Sequence, residues 1–265
     1  MSNIKWSGIE QWKYGLTARW YVSAYYGNDI DVDAVGLYDP STNPTGHGGP
    51  TRPFATLSKY VQNRTNYQCC VVDSGYYLDE INISFADIVG DGTVVLSNNL
   101  FTGGFNSSRI RNCTMLLSGC AQTAFQDSVI LYSQVGILGG ASSIGVYNSN
   151  FIECTFAQVR QEVKGCTFAR CSGVMTMDSN QYPFSKTENI FIQCPDLTLQ
   201  VQQVRGVGII IDYSVIIGTV KSNITINGKP AGSNLTLEDF KADGNYFIKS
   251  YSEVDLFSNA SGSGA

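Results

Sequence analysis

Charge is scarce in this chain. Charged side chains make up 15% of its 265 residues, against roughly 25% in an ordinary soluble domain. The 17 Lys and Arg residues never gather into a run that could track a phosphate backbone, so nucleic acid is excluded as a partner. Apolar runs of the roughly 20 residues needed to span a bilayer are missing. The opening MSNIKWSGIEQWKYG also lacks the apolar core of a secretory signal, so the expectation is folding in the cytoplasm with no membrane partner. Histidine occurs once, as His47 in TGHGGPT, and a triad or metal centre would need partners that its glycine-rich loop does not supply. The eight cysteines include no paired C-x-x-C of the zinc type, and a reducing compartment argues against a disulfide framework. Buried free thiols are the expectation. Glycines in GGFNSS and GVGII match neither the dinucleotide fingerprint nor the phosphate loop, and no cofactor is expected.

What the chain does have is glycine, 27 residues, with abundant Ser, Thr and Asn, the balance of an all-β protein with many turns. A short phrase recurs: Asn, Gly or Asp, then a small or β-branched residue, then an apolar one two or three places on. It is found at Asn112-Cys113, Asp127-Ser128, Asn148-Ser149, Gly165-Cys166 and Asn189-Ile190, within β-forming segments such as SVILYSQVGIL, SNFIECTF and GVGIIIDYSVIIGTV. Irregular intervals suit a solenoid of short strands, whose turns accept insertions while its strands keep register. One inward column shared by Cys113, Ser128, Ser149 and Cys166 is therefore expected, with Met115, Phe151 and Phe168 filling the next.

The front of the chain reads differently. Trp6, Trp12 and Trp20 are its only tryptophans. After them come RWYVSAYYGND, a Gly/Pro/Asn-rich loop, and PFATLSKYVQN, in which Phe54, Leu57, Tyr60 and Val61 share one helical face and Pro53 suits the first turn. The order YVS…GND, loop, PFATL helix, VVDSGYYLDEI and IVGDGT resembles the opening of right-handed parallel β-helix proteins of the pectate-lyase-like type, including phage tail spikes and fibres. Gly75, Tyr77 and the acidic pair Asp79-Glu80 stand where that family carries its entry phrase. The resemblance covers about residues 20 to 225. It implies an all-β fold, a single-stranded right-handed parallel β-helix with an N-terminal capping helix, and it implies homotrimers. The divisions expected are an N-terminal anchor segment (1–20), a strand, loop and capping helix (21–66), β-helix coils (67–228), and a C-terminal cap or linker to a further domain (229–265). A cap is needed because a β-helix exposes an open strand edge at each end.

Candidate sites are few. Asp29, Asp31 and Asp33 alternate as in the first half of a calcium loop, but Ala34 holds the glycine position and Pro40 the final ligand position. No metal site is assigned. Sugar-cleaving β-helices use paired carboxylates, or calcium-bound acids with an Arg or Lys base. Acids on the coils are Asp127, Glu153, Glu162, Asp178, Glu188, Asp196 and Asp212, and possible bases are Arg109, Arg111, Arg160, Lys164 and Arg170. None of these acids recurs at one column in neighbouring coils, so no catalytic residue is assigned, although Glu153 approaches Arg170 if their coils adjoin. Trp6, Trp12 and Trp20 are the expected partner-binding residues, since Trp buries large area at low entropy cost.

The leading expectation is a phage virion appendage, a tail spike, fibre or head-decoration protein for host attachment. It would form a homo-oligomer, contact other virion proteins through its N-terminal segment, and meet host glycans. The alternatives are a polysaccharide lyase or glycoside hydrolase acting on cell-surface glycans, and a non-viral surface adhesin.

Overall fold

The computed structural model describes residues 20–78, 83–98, 104–117, 123–137, 145–159, 162–178, 189–203, 215–218, 221–227, 249–250 and 261–263. Every strand pairing between named strands is parallel, and each strand pairs with the one roughly a coil further along the chain. The molecule is a parallel β-solenoid.

Two long strands, Cys69–Tyr77 and Asp87–Asn98, show how the coil is built. Residues 87–89 pair with Arg109–Arg111, whereas residues 95–98 pair with Thr114–Leu117. Below them the larger sheet therefore divides into two faces. One, the second face, carries Arg109–Arg111, Val129–Leu131, Asn150–Ile152, Thr167–Ala169, Ile190–Ile192 and Val215–Ile217. The other, the first face, carries Thr114–Leu117, Gln134–Ile137, Thr155–Val159, Ser172–Asp178, Asp196–Gln203 and Lys221–Asn227. A smaller sheet, Ile83–Ser84, Phe105–Asn106, Thr123–Gln126, Gly145–Tyr147 and Glu162–Lys164, closes the third side.

The recurring phrase marks two corners per coil. Between the third and second faces the backbone passes through a left-handed residue, Phe85, Ser107, Asp127, Asn148 or Gly165; between the second and first faces it does so at Asn112, Tyr132, Glu153, Arg170, Gln193 and Gly218. Within a coil the corners are five residues apart, as in Ser107 to Asn112 or Gly165 to Arg170. From Asn112 onward the second corner recurs after 20, 21, 17, 23 and 25 residues. All the length variation thus falls on the remaining side of the coil. Strands of three on the second face leave one inward position each: Asn150 is exposed, Phe151 buried and Ile152 half-buried.

Those inward positions form the core. Trp20, Cys70, Ile88, Ile110, Ile130, Phe151, Phe168 and Phe191 stand in one register column and are all buried. Phe151 stacks on Phe168 at 5.2 Å and 8°, and Phe168 on Phe191 at 5.0 Å and 13°. Phe156, inward on the first face, meets Phe168 edge-on at 5.6 Å. Such pairs contribute roughly 0.5–1.5 kcal/mol each beyond the area they bury.

From Phe85 to Gln193 the residue after each left-handed corner is small and buried, and this corrects the single column expected from sequence. Ala86, Ser108, Ser128, Ser149, Cys166 and Asn189 form one column; Cys113, Ser133, Cys154, Cys171 and Cys194 form another at the second corner. Cys113 and Ser128 are therefore not stacked, and Met115 lies on the first face beside Val135, apart from Phe151 and Phe168. Each column is a hydrogen-bond ladder. The amide of Ser108 donates to Ser128 Oγ at 3.1 Å, that of Ser128 to Ser149 Oγ at 3.1 Å, that of Ser149 to Cys166 Sγ at 3.5 Å and that of Cys166 to Asn189 Oδ1 at 3.0 Å. At the other corner Cys113 N–H donates to Ser133 Oγ and Cys171 N–H to Cys194 Sγ. A corner turns its buried amide away from the strand ladder, and a buried donor must find another acceptor. A short side chain from the next coil supplies it, which is why Ser, Cys and once Asn recur there.

The only helix among the described residues, Leu57–Asn63, buries Leu57 and Tyr60 and packs on the strand Trp20–Val22. Thr56 caps its N-terminus, its hydroxyl accepting from Lys59 N–H at 3.2 Å. Among the described residues no helix is long and apolar enough to cross a membrane.

Candidate functional site

The segment between the first strand and the helix is held by its acidic residues. Asp29 accepts from the amides of Ala55 and Thr56 and from the Thr56 hydroxyl, at 2.8, 3.2 and 2.6 Å. Asp31 accepts from Val35 and Gly36 N–H, and Asp33 pairs with Arg52. No two of the three carboxylates share a partner, and among the described residues no group of three or more metal-ligating side chains gathers. His47 is buried, edge-on to Phe54 at 4.9 Å, with Nε2 on the Asn28 carbonyl. It packs within the protein.

Pinned this way, the segment presents an apolar surface. Tyr25, Tyr26, Ile30, Val32 and Leu37 are all exposed, Tyr25 to 74%. Trp20, expected to bind a partner, is instead the first member of the inward core column, stacked on Phe54 at 5.6 Å, its indole N–H donating to Gln68 at 2.8 Å. Trp6 and Trp12 lie outside the described residues.

Next to this surface lies an acid pair that the sequence reading passed over. Asp73 and Asp91 are direct register partners on adjacent strands. Asp73 Oδ2 accepts from the Ser23 hydroxyl at 3.1 Å and Oδ1 from Ser74 N–H at 2.7 Å. Tyr77 ties strand to loop, its hydroxyl accepting from Ala24 N–H and donating to the Asp73 carbonyl. Asp91 is buried. Their strands precede the first copy of the recurring phrase, so the coil pattern does not reach them. The signal was DSG in one segment and DGT in the next.

The other candidates are dispersed. Arg109 and Arg111 share the outward side of one strand, as their alternation suggests. Arg111, however, is buried against Asp87, while the Arg109 guanidinium stands 5.8 Å over the Tyr67 ring. Glu153 does meet Arg170, in the next coil: Oε1 lies 2.9 Å from Nε and 2.8 Å from Nη2, both side chains exposed. Asp127 and Asp196 are exposed. Arg160, Glu188 and Asp212 fall outside the described residues, as do the side chains of Glu162 and Asp178.

The seven described cysteines are free and buried. Burial pushes the thiols of Cys113 and Cys166 from about 9 up to about 12, and burial followed by the Asp87 carboxylate does the same at Cys69. These are not nucleophiles near neutral pH, since the thiolate is the reactive form.

Comparison with protein-family models, curated proteins and solved structures finds no match to this chain.

Proposed function

We propose that the chain is a structural component of a phage virion, a tail-spike, fibre or head-decoration appendage for host attachment. In this reading the solenoid is right-handed and of the pectate-lyase-like type, the Leu57–Asn63 helix covers its N-terminal end, and the N-terminal segment with Trp6 and Trp12 docks on another virion protein. The observation that carries it is the exposed apolar surface of Tyr25, Tyr26, Ile30, Val32 and Leu37, which follows Trp6 and Trp12 in the chain. Several large exposed apolar side chains within one short segment support a docking role for it. Mass spectrometry of particles purified from the lysed host tests the reading. The chain is expected at fixed stoichiometry with other particle proteins; finding it only in the host fraction, or its gene outside any phage region, overturns it.

The Asp73–Asp91 alignment favours a second reading, cleavage of a surface glycan. Two carboxyl groups on neighbouring strands are what acid/base hydrolysis needs, provided a sugar can reach both. Screening acidic and neutral polysaccharides for chain cleavage decides it. Activity lost in Asp73→Asn and in Asp91→Asn supports this reading, and no cleavage by the wild type removes it.

A further inference from the structure

The exposed surface that follows the first strand is acidic as well as apolar. Between residues 20 and 51 the chain carries Asp29, Asp31, Asp33 and Asp39 and neither Lys nor Arg. Ile30 and Val32, each 69% exposed, alternate with the first three of these acids. Asp33 meets Arg52, while Asp29, Asp31 and Asp39 accept from backbone amides, which leave their negative charge in place. Such a surface fits an occupant that brings large apolar groups and positive charge together.

The residues just before it have that composition. Residues 4–19, IKWSGIEQWKYGLTAR, set Trp6, Ile9, Trp12 and Leu16 three or four places apart and carry Lys5, Lys13 and Arg19 against the single acid Glu10. They also join the molecule beside the surface. Tyr21 N–H donates to the Gly48 carbonyl and Tyr38 N–H to the His47 carbonyl, both at 2.9 Å, and the Tyr21 and Tyr38 rings meet edge-on at 6.1 Å. Leu37, exposed, is the neighbour of Tyr38. Trp12 stands nine residues before Tyr21, a reach of up to about 30 Å.

We propose that in the free chain residues 4–19 fold back over this surface, Trp12 covering Ile30 and Val32 while Lys13 and Arg19 approach the surrounding carboxylates. Tryptophan removes large apolar area from water at low entropy cost, and opposite charge sets which surface it meets. The tether selects this occupant over a protein in solution or a second copy, because a short connection gives an effective concentration in roughly the millimolar range. The closed arrangement rests on the virion reading only for what opens it: a particle protein that takes Trp6 and Trp12 uncovers the surface, so docking and opening are one event. Its failure leaves incorporation into particles untouched, since particle composition does not depend on where the segment lies in the free chain.

The test is photo-crosslinking of the full chain with p-benzoylphenylalanine in place of Trp12, mapped by mass spectrometry across a concentration series. Links to residues 25–37 of the same chain are expected, at a yield that does not change with concentration. The double variant Ile30→Lys, Val32→Lys, which removes the apolar contact and opposes the basic segment, should lower that yield about tenfold. Circular dichroism establishes that each chain is folded. If the photoreactive chain is not, trypsin cleavage after Lys13 replaces it, and the double variant should be cut about tenfold faster than the wild type, because cleavage tracks the open population. Links that land elsewhere on the chain overturn the proposal, as do links that form only between chains and grow with concentration, which assign the surface to a second copy. A yield or cleavage rate that the double variant leaves unchanged overturns it as well.

Discussion

Removing one hydroxyl from the corner ladder should show whether the repeated phrase exists to satisfy buried amides. Ser128 is fully buried, its Oγ accepting from Ser108 N–H at 3.1 Å and donating to the Gln126 carbonyl at 2.8 Å. Ser128→Ala keeps the backbone and nearly the volume but leaves the Ser108 amide without its acceptor. An orphaned buried donor costs about 1–3 kcal/mol, and that is the expected loss. Ser128→Cys should cost less, because sulfur fills the same position at Cys166 and accepts from Ser149 N–H. Urea unfolding followed by circular dichroism measures both, with unfolding rates compared if refolding is incomplete. Two controls bound the result: Cys166→Ser should be nearly neutral, and Thr155→Ala, at an exposed position, should stay within about 0.5 kcal/mol. If Ser128→Ala also stays within that range, or Ser128→Cys is no better than Ser128→Ala, the ladder is not what selects these residues.

Arg111→Ala should destabilise by about 3–5 kcal/mol, since it leaves the buried Asp87 carboxylate uncompensated, whereas the double variant Arg111→Met, Asp87→Leu should recover most of the loss on the same denaturation curves. Glu153→Gln breaks an exposed pair and should change stability by no more than about 1 kcal/mol, an effect that added salt should remove. Because burial raises the Cys69, Cys113 and Cys166 thiols to about 12, the folded chain holds protons that the unfolded chain releases above about 9. The stabilisation is complete below that pH and is lost as pH rises from about 9 through 12, so denaturation midpoints should fall across this window. A thiol reagent at pH 8 should titrate these three groups only after unfolding.

The solenoid was legible because its defining constraint is local: a left-handed turn residue followed by a small one leaves a written trace in every coil. Its phase was not. The two corners stand five residues apart and make the same demand, so Asn112-Cys113 and Asp127-Ser128 read as successive copies of one column when they belong to different ones. The recurring phrase puts Asn189 at the turn, yet it occupies the buried position, its side chain joining Cys166 N–H to the Val163 carbonyl. For Trp20, sequence offered bulk and position but no indication of direction. Inwardness is set by pairing with Cys70, fifty residues away. Asp73 and Asp91 likewise become neighbours only through the parallel register, whereas the approach of Glu153 to Arg170 could be foreseen from the 17-residue coil between them.

The most direct test of the two-corner architecture is the unfolding midpoint of two single-residue insertions compared with wild type. One alanine inserted between Phe151 and Ile152 changes the five-residue spacing from Asn148 to Glu153, reversing the pleat and breaking both ladders at that coil. One inserted between Gly139 and Gly140 lengthens only the connection between the strands Gln134–Ile137 and Gly145–Tyr147. The first should abolish cooperative folding or lower the midpoint steeply, and the second should leave it near wild type. Equal tolerance of the two would contradict the account.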